Sequence, residues 1–309
     1  VHGAAYRAGA AASRLWAKVL DWSSVAGPFG RLVLRVPFDV AMREISGEGV
    51  CVRVWEWSET SQTASILTRE LGIVRVIAKG SKREKSDYSG GLEPATCGRF
   101  TALLKAGDGL SLLTSWDLAE IFPAVRRSLS AFHAALAMMD MVHHALHEQD
   151  PHPLVFDALL DGLRAMTGDP HADRCAMLTL ASAVLLDTGH GPELGVDVRT
   201  GEPLGEARTL AFYPHLGGLS RDVGDDGVRD ALHAATGHDG DRDAGLVWRV
   251  RSETVMLLRG VRERGHEAAI EGDPAAAERA LRLLGSYFRE VFQCDPPALG
   301  AALGLAGAS

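Results

Sequence analysis

Trp55–Pro94 reads WEWSETSQTASILTRELGIVRVIAKGSKREKSDYSGGLEP. Its short β-rich runs, followed by one dense basic loop, decide the fold. Ala64–Thr68 and Gly72–Ala78 are rich in apolar and β-branched residues and flank a tight Glu70-Leu71-Gly72 turn, which predicts a hairpin. The basic loop Lys79-Gly80-Ser81-Lys82-Arg83-Glu84-Lys85 follows directly on the second run. Upstream, Val50, Val52 and Val54 alternate with Cys51, Arg53 and Trp55, the period of a half-buried strand. Downstream, Thr96–Leu104 and Leu110–Trp116 are two more strands joined by the Gly-rich Lys105–Gly109 connection. Five short strands in so little chain predict a small barrel, and five is the strand count of the OB-fold.

Charge is unevenly spread. Between Val50 and Gly90 there are seven Lys and Arg (Arg53, Arg69, Arg75, Lys79, Lys82, Arg83, Lys85) against five acids, a local net of +2. The whole chain carries −8, so the remainder carries −10. A basic loop at the end of a small sheet is how many barrels hold a nucleic-acid backbone. A solvated charged loop is the plain alternative.

The order of motifs in the opening stretch strongly resembles the RecO family of bacterial recombination mediators. The resemblance rests on Ser58-Glu59-Thr60-Ser61, Leu67-Thr68-Arg69-Glu70-Leu71-Gly72, Ala78-Lys79-Gly80-Ser81-Lys82-Arg83 and Gly91-Leu92-Glu93-Pro94, taken together in this order and spacing. It continues through Asp117–Arg127 and Gly217-Gly218-Leu219, and covers the chain from about Val50 to Phe292. The resemblance implies an α+β protein: an N-terminal five-stranded OB-fold barrel, then an α-helical domain with a small zinc-ribbon-like insert. It implies binding of single- and double-stranded DNA and strand annealing. It also implies partnership with RecR and with the C-terminal tail of single-strand binding protein, to load RecA, in the bacterial cytoplasm and nucleoid. The expected divisions are residues 1–49 as an extra segment, 50–120 as the DNA-binding barrel and 121–300 as the helical domain, with the insert near 191–226.

Many members of that family carry a four-cysteine zinc site in the insert. Here Asp197 and Thr200 stand at the first pair and Arg221 and Gly224 near the second. The four cysteines, Cys51, Cys97, Cys175 and Cys294, are scattered with no C-x-x-C, so a tetrahedral thiolate site cannot form. No cofactor or metal is expected. Leu194, Leu204, Phe212, Tyr213 and Leu219 are the expected core, holding the ribbon shape by packing alone. His143 and His147, four apart on an expected helix beside His144, read as a polar-face pair instead of a metal site, because no third ligand or H-E-x-x-H accompanies them.

At 309 residues with 46% hydrophobic and 23% charged residues, the chain has room for two ordinary globular domains. No apolar run is long enough to span a bilayer, so no membrane is expected. Dispersed cysteines suit a reducing cytosol. The first 49 residues are rich in Ala, Gly and Arg, and the expectation is that the native start lies nearer Met42.

Pro123 is expected to open the first helix of the second domain, with Phe132, Leu136, Met139, Val142 and Leu146 at helical spacing. Met138, Met139 and Met141 read as core, or as an adaptable binding face. Pro153–Met166, His171–Thr188, Leu246–Gly265 and Pro274–Phe292 are further expected helices. Arg249, Arg251, Arg259, Arg262 and Arg264 either extend a DNA path or solvate a helix. Asp222–Asp243 reads as a solvated acidic loop, since EF-hand spacing is absent.

The chain shows no G-x-S-x-G, P-loop or post-strand G-x-G-x-x-G, which argues against an enzyme. The leading expectation is a non-enzymatic mediator using Arg53, Arg69, Arg75, Lys79, Lys82, Arg83 and Lys85 on phosphates, with Trp55, Trp57 and Tyr88 as stacking candidates. The alternative is a protein-interaction adaptor of the repair machinery with little DNA affinity. The test between them is whether acids of the second domain cover the face bearing Arg53 and Arg75.

Overall fold

The computed structural model describes residues 43–302 apart from 85, 89–90, 106–108 and 222–246. Lys85, the expected start near Met42 and the acidic 222–243 loop lie outside the described residues.

The described residues open with β1 (Arg43–Glu56), β2 (Gln62–Thr68), β3 (Gly72–Ala78), β4 (Thr96–Leu104) and β5 (Ser111–Ile121). Pairing runs β1-β2-β3-β5-β4 and returns from β4 to β1, with a parallel β3–β5 seam closing the OB-like sheet. β1 starts seven residues before the expected boundary at 50, inside the segment set apart as extra, and runs beside β4 from Arg43↔Leu104 to Cys51↔Thr96.

β1 departs from the expected half-buried strand. Cys51 lies in the barrel interior with Ile66, Val74, Phe100 and Trp116. Val50 and Val52, on the opposite face, are equally buried, because they belong to the core of the helical region. Val50, Leu67 and Ile73 form one cross-strand row against the helices. The outward face of these strands therefore joins the apolar core of the helices, while the barrel interior is a core of its own.

Gly72 makes the β2–β3 turn. Its φ is +65°, and a Cβ there would collide with the carbonyl of Asp150. Thr68 ties the turn by donating to the Gly72 carbonyl at 3.1 Å and accepting from the Leu71 N–H at 3.1 Å. Gly72→Ala combines a left-handed backbone cost of about 1–2 kcal/mol with a backbone collision. It should cost more than about 2 kcal/mol in urea denaturation; a loss below about 0.5 kcal/mol would show the turn to be loose.

The helical region begins with α1 (Pro123–Arg127), then a break at Ser128, then α2 (Leu129–Ala145). Ser128 is extended and caps α2 by accepting from the Ala131 N–H. Of the expected stripe, Met139, Val142 and Leu146 are buried and Leu136 packs half-buried against the core. Phe132 is exposed, while Ala131, Ala135, Met138, Met141 and Val142 are buried. Met138, Met139 and Met141 are all core, which removes the binding-face reading. α2 ends at Ala145, so His147 lies beyond it and shares no helical face with His143.

α3 (Pro153–Ala165) and α4 (Pro170–Asp187) follow, each with Pro in its first turn, and Asp169 caps α4 through the N–H groups of His171 and Ala172. Next comes a small sheet of β6 (Thr209–Tyr213), β7 (Gly218–Arg221) and β8 (Trp248–Arg251) in the order β7-β6-β8. Trp248–Arg251 was expected to be helical. It is instead a strand that buries Val250 and stacks Trp248 on Phe212, with ring centroids 5.6 Å apart. The chain closes with α5 (Ser252–Arg264), α6 (His266–Glu271), α7 (Pro274–Phe292) and α8 (Pro297–Ala302). No helix among the described residues is long and apolar enough to cross a membrane.

Leu194, Leu204, Phe212, Tyr213 and Leu219 are buried as expected, but packing does not act alone in the insert. Asp197 is 3% exposed. Its carboxylate accepts from Ser220 Oγ at 2.8 Å, from the Arg221 N–H at 2.9 Å, from the Arg199 N–H at 2.9 Å and from the Thr200 N–H at 3.3 Å. One side chain thus joins the turn at 197–200 to strand β7. Burial alone would raise the Asp197 carboxyl; these donors outweigh it and hold the group below the usual carboxylate range. A zinc ion does not fit here. Every group facing the carboxylate is a hydrogen-bond donor, the environment of an anion, and no thiolate stands at any of the aligned positions. Among the described residues, no group of three or more His, Cys, Asp or Glu is placed to hold a metal.

Candidate nucleic-acid interface

The outer face of β1, β2 and β3 is organised in rows. Ala64 and Ile66 point into the barrel, so Ser65 and Thr63 point outward. A bulge between Cys51 and Arg53 puts Arg53 and Trp55 on that same outer face. Beyond the apolar row, Arg53, Ser65 and Arg75 stand side by side. The next row is Trp55, Thr63 and Ile77. Two residues further on, β1 and β3 give way to Trp57 and Lys79. Each step is roughly 6.7 Å along the strands.

Trp57 is 62% exposed and Trp55 38%. Tyr88 is buried, and its hydroxyl donates to the Leu113 carbonyl at 2.7 Å, so it is barrel core and no stacking platform. The Arg53 guanidinium lies 5.5 Å from the Trp55 ring centroid. The basic loop is tethered beside Trp57. The Lys82 N–H donates to the Thr60 carbonyl at 3.2 Å and the Gly80 N–H to Ser61 Oγ at 3.1 Å. These bonds hold the loop against the β1–β2 connection that carries Trp57.

Six of the seven expected cations lie among the described residues, and they divide into two groups. Arg69 makes a two-point ion pair with Asp157 of α3 at 3.0 and 2.8 Å. Arg75 pairs with Glu148 at 2.9 Å. Arg53 lies 4.0 Å from Asp140 of α2, whose other oxygen accepts from the Ala298 N–H. All three acids belong to the helical region. From the opposite side, Arg164 of α3 pairs with Glu120 of β5 at 2.8 Å. Exposed pairs of this kind contribute little stability individually, but they mark the seam between barrel and helices. In the second group, Lys82 pairs with Glu56 of the barrel itself. Lys79 and Arg83 are exposed, with no carboxylate partner among the described residues.

Of the later arginines, Arg249 and Arg251 lie on β8, Arg259 donates to the Leu194 carbonyl at 2.9 Å, and Arg264 pairs with Glu271 at 2.8 Å. Arg259 and Arg264 are thus engaged within the helical region.

Sequence reasoning missed His143. Its ring lies 5.8 Å from the Trp55 ring, edge to face, and 5.4 Å from His144. Burial, then the Arg53 guanidinium, hold this imidazole below its ordinary value, with Arg75 acting in the same direction. No periodicity in one helix could have placed it against a strand of the barrel.

Comparison with known proteins agrees with this geometry. Residues 42–122 match the family model described as Recombination protein O N terminal, and residues 126–236 match Recombination protein O C terminal. The chain is 30% identical over 169 residues to the DNA repair protein RecO of Rhodopirellula baltica, covering 55% of this chain and 62% of that one. It is 29% identical over 163 residues to the DNA repair protein RecO of Bacillus pumilus, covering 52% and 62%. It is 30% identical over 179 residues to the DNA repair protein RecO of Desulforudis audaxviator, covering 58% and 69%. The match thus spans 62% of the length of each of the first two of these relatives. The OB-like sheet, the helical region behind it and these matches lead to one conclusion: this chain belongs to the RecO family.

Proposed function

We propose that this chain is a DNA-repair protein that binds DNA through the outer face of β1–β3 and the Lys79–Lys85 loop and performs no chemistry of its own. The finer roles belong to the same proposal: annealing of complementary strands, action with RecR on gaps covered by single-strand binding protein, and loading of RecA. So do the division near residue 121 into a DNA-binding barrel and a partner-binding helical region, and a place in the bacterial cytoplasm and nucleoid.

The observation that carries the reading is Trp57, 62% exposed, held beside a loop with two unpaired exposed cations among the described residues. A large exposed aromatic next to backbone-neutralising charge is what unpaired nucleic acid needs: a ring for a base to stack on and cations for the phosphates. Two strands held on one basic surface repel each other less, which is the physical basis of annealing.

The adaptor reading also has an observation behind it. Acids of the helical region face Arg53, Arg69 and Arg75, the arrangement that favours a barrel whose strand cations serve the seam. Fluorescence anisotropy of labelled single-stranded DNA across a salt series, with the full chain, separates the two. The DNA-binding reading expects tight binding at low salt and a steep log–log slope, each neutralised phosphate adding about −0.7. Absence of binding at low salt would overturn it in favour of the adaptor.

A further inference from the structure

We propose that the Arg53–Ser65–Arg75 row is a seat for one backbone phosphate of the bound strand, an inference that rests on the DNA-binding reading above. Ser65 is 0% exposed, and its hydroxyl has no hydrogen-bond partner among the described residues. A buried, unsatisfied hydroxyl is costly, so a protein that retains one calls for an explanation. Here Ser65 stands on the outward face of β2, in register with Arg53 of β1 on one side and Arg75 of β3 on the other. A phosphodiester is the ligand that satisfies all three. Its non-bridging oxygens accept from both guanidiniums and from the Ser65 O–H.

The row lies at the seam, where Asp140, His143 and Glu148 of the helical region meet it, so a phosphate reaches Ser65 only when these side chains and the two arginines give way. The Arg53 side chain is 39% exposed and that of Arg75 50%. Among the described residues, Arg53 is held by Asp140 at 4.0 Å and by the face of Trp55. Arg75 must exchange Glu148 for the phosphate, so Glu148 acts as a competing anion.

His143 makes the seat sensitive to pH. It faces Arg53 and Trp55 of β1, Arg75 of β3, and Asp140 and His144 of its own helix, while Glu148, the partner of Arg75, lies on the segment after that helix. With the seat empty, the two arginines oppose its protonation. A phosphate between them reverses that field, so the imidazole takes up a proton when the strand binds and affinity rises as pH falls through the range of His143.

The test is anisotropy of a labelled oligothymidylate with the full chain at about pH 6 and about pH 8, alongside thermal melting. Ser65→Ala should weaken binding about tenfold, the loss of one charge-assisted hydrogen bond. It should leave the melting temperature unchanged or raised, because it removes an unsatisfied hydroxyl. Glu148→Gln should tighten binding, and His143→Gln should flatten the pH dependence. The seat is overturned if Ser65→Ala and Arg75→Ala bind like the parent while reversal of Lys79, Lys82, Arg83 and Lys85 still abolishes binding; the DNA-binding reading then stands alone. It is also overturned if Ser65→Ala lowers affinity and melting temperature together, the mark of a structural role. If the parent chain binds no DNA at low salt, the seat and the reading beneath it fall together.

Discussion

Asp197→Ala should destabilise the folded protein by about 3–4 kcal/mol in urea denaturation. The change removes the shared acceptor of Ser220 Oγ and three backbone N–H groups. Buried donors left without a partner cost about 1–3 kcal/mol each, partly recovered where a turn relaxes towards water. The effect is large because one carboxylate joins the turn at 197–200 to β7. Asp197→Asn should retain part of the stability, since an amide oxygen still accepts, and the amide NH2 finds donors where it needs an acceptor. The pH dependence has a definite sign. A carboxyl held below its unfolded value contributes stability that is present above the unfolded value, about 3.9, and lost as pH falls through the folded one. The parent should therefore lose stability in acid more steeply than Asp197→Asn. A metal chelator should leave the melting temperature of the parent unchanged. A stability loss below about 1 kcal/mol for Asp197→Ala, or a chelator-induced drop in the parent, would sink this account of the insert.

Reversing Lys79, Lys82, Arg83 and Lys85 to Glu should weaken single-stranded DNA binding on the order of a hundredfold at low salt. Like-charge contacts with a phosphate cost several kcal/mol together, and 1.4 kcal/mol is tenfold. The log–log salt slope should become shallower by about 2–3, four lost phosphates at about 0.7 each. Folding should be little affected, because the loop's tethers use backbone groups, from the Lys82 N–H to the Thr60 carbonyl and from the Gly80 N–H to Ser61. Reversing Arg69 should act differently. Its two-point pair with Asp157 spans the seam, so Arg69→Glu should disturb the barrel–helix seam more than it changes the salt slope. Equal slopes for the loop variant and the parent would show that the loop does not meet phosphate.

By itself, the sequence determined most of the barrel and of the helices. The five strands, the Gly72 turn, the Pro-led starts of α1, α3 and α7 and the buried residues of the insert were legible because each is set by neighbours within a few positions: strand alternation, helix caps and a glycine where φ must be positive. The motif order likewise pointed to the family. What only the tertiary structure decided are the relations between distant residues. Arg69 and Asp157 are 88 residues apart and Arg75 and Glu148 are 73 apart, so nothing in the spacing of either partner announced that strand cations would meet helical acids. A one-residue bulge in β1 chose which face Arg53 and Trp55 occupy. Cross-strand register set Ser65 between two arginines, and the packing of α2 buried Ala131 and Ala135 and left Phe132 outward. Asp197 appeared in the sequence only as an absent cysteine, and its four donors became visible once 197–200 and β7 were side by side. Local propensity depends on short-range sterics and is written in the chain; charge pairing and the satisfaction of buried polar groups depend on which surfaces meet, and only the folded packing supplies that.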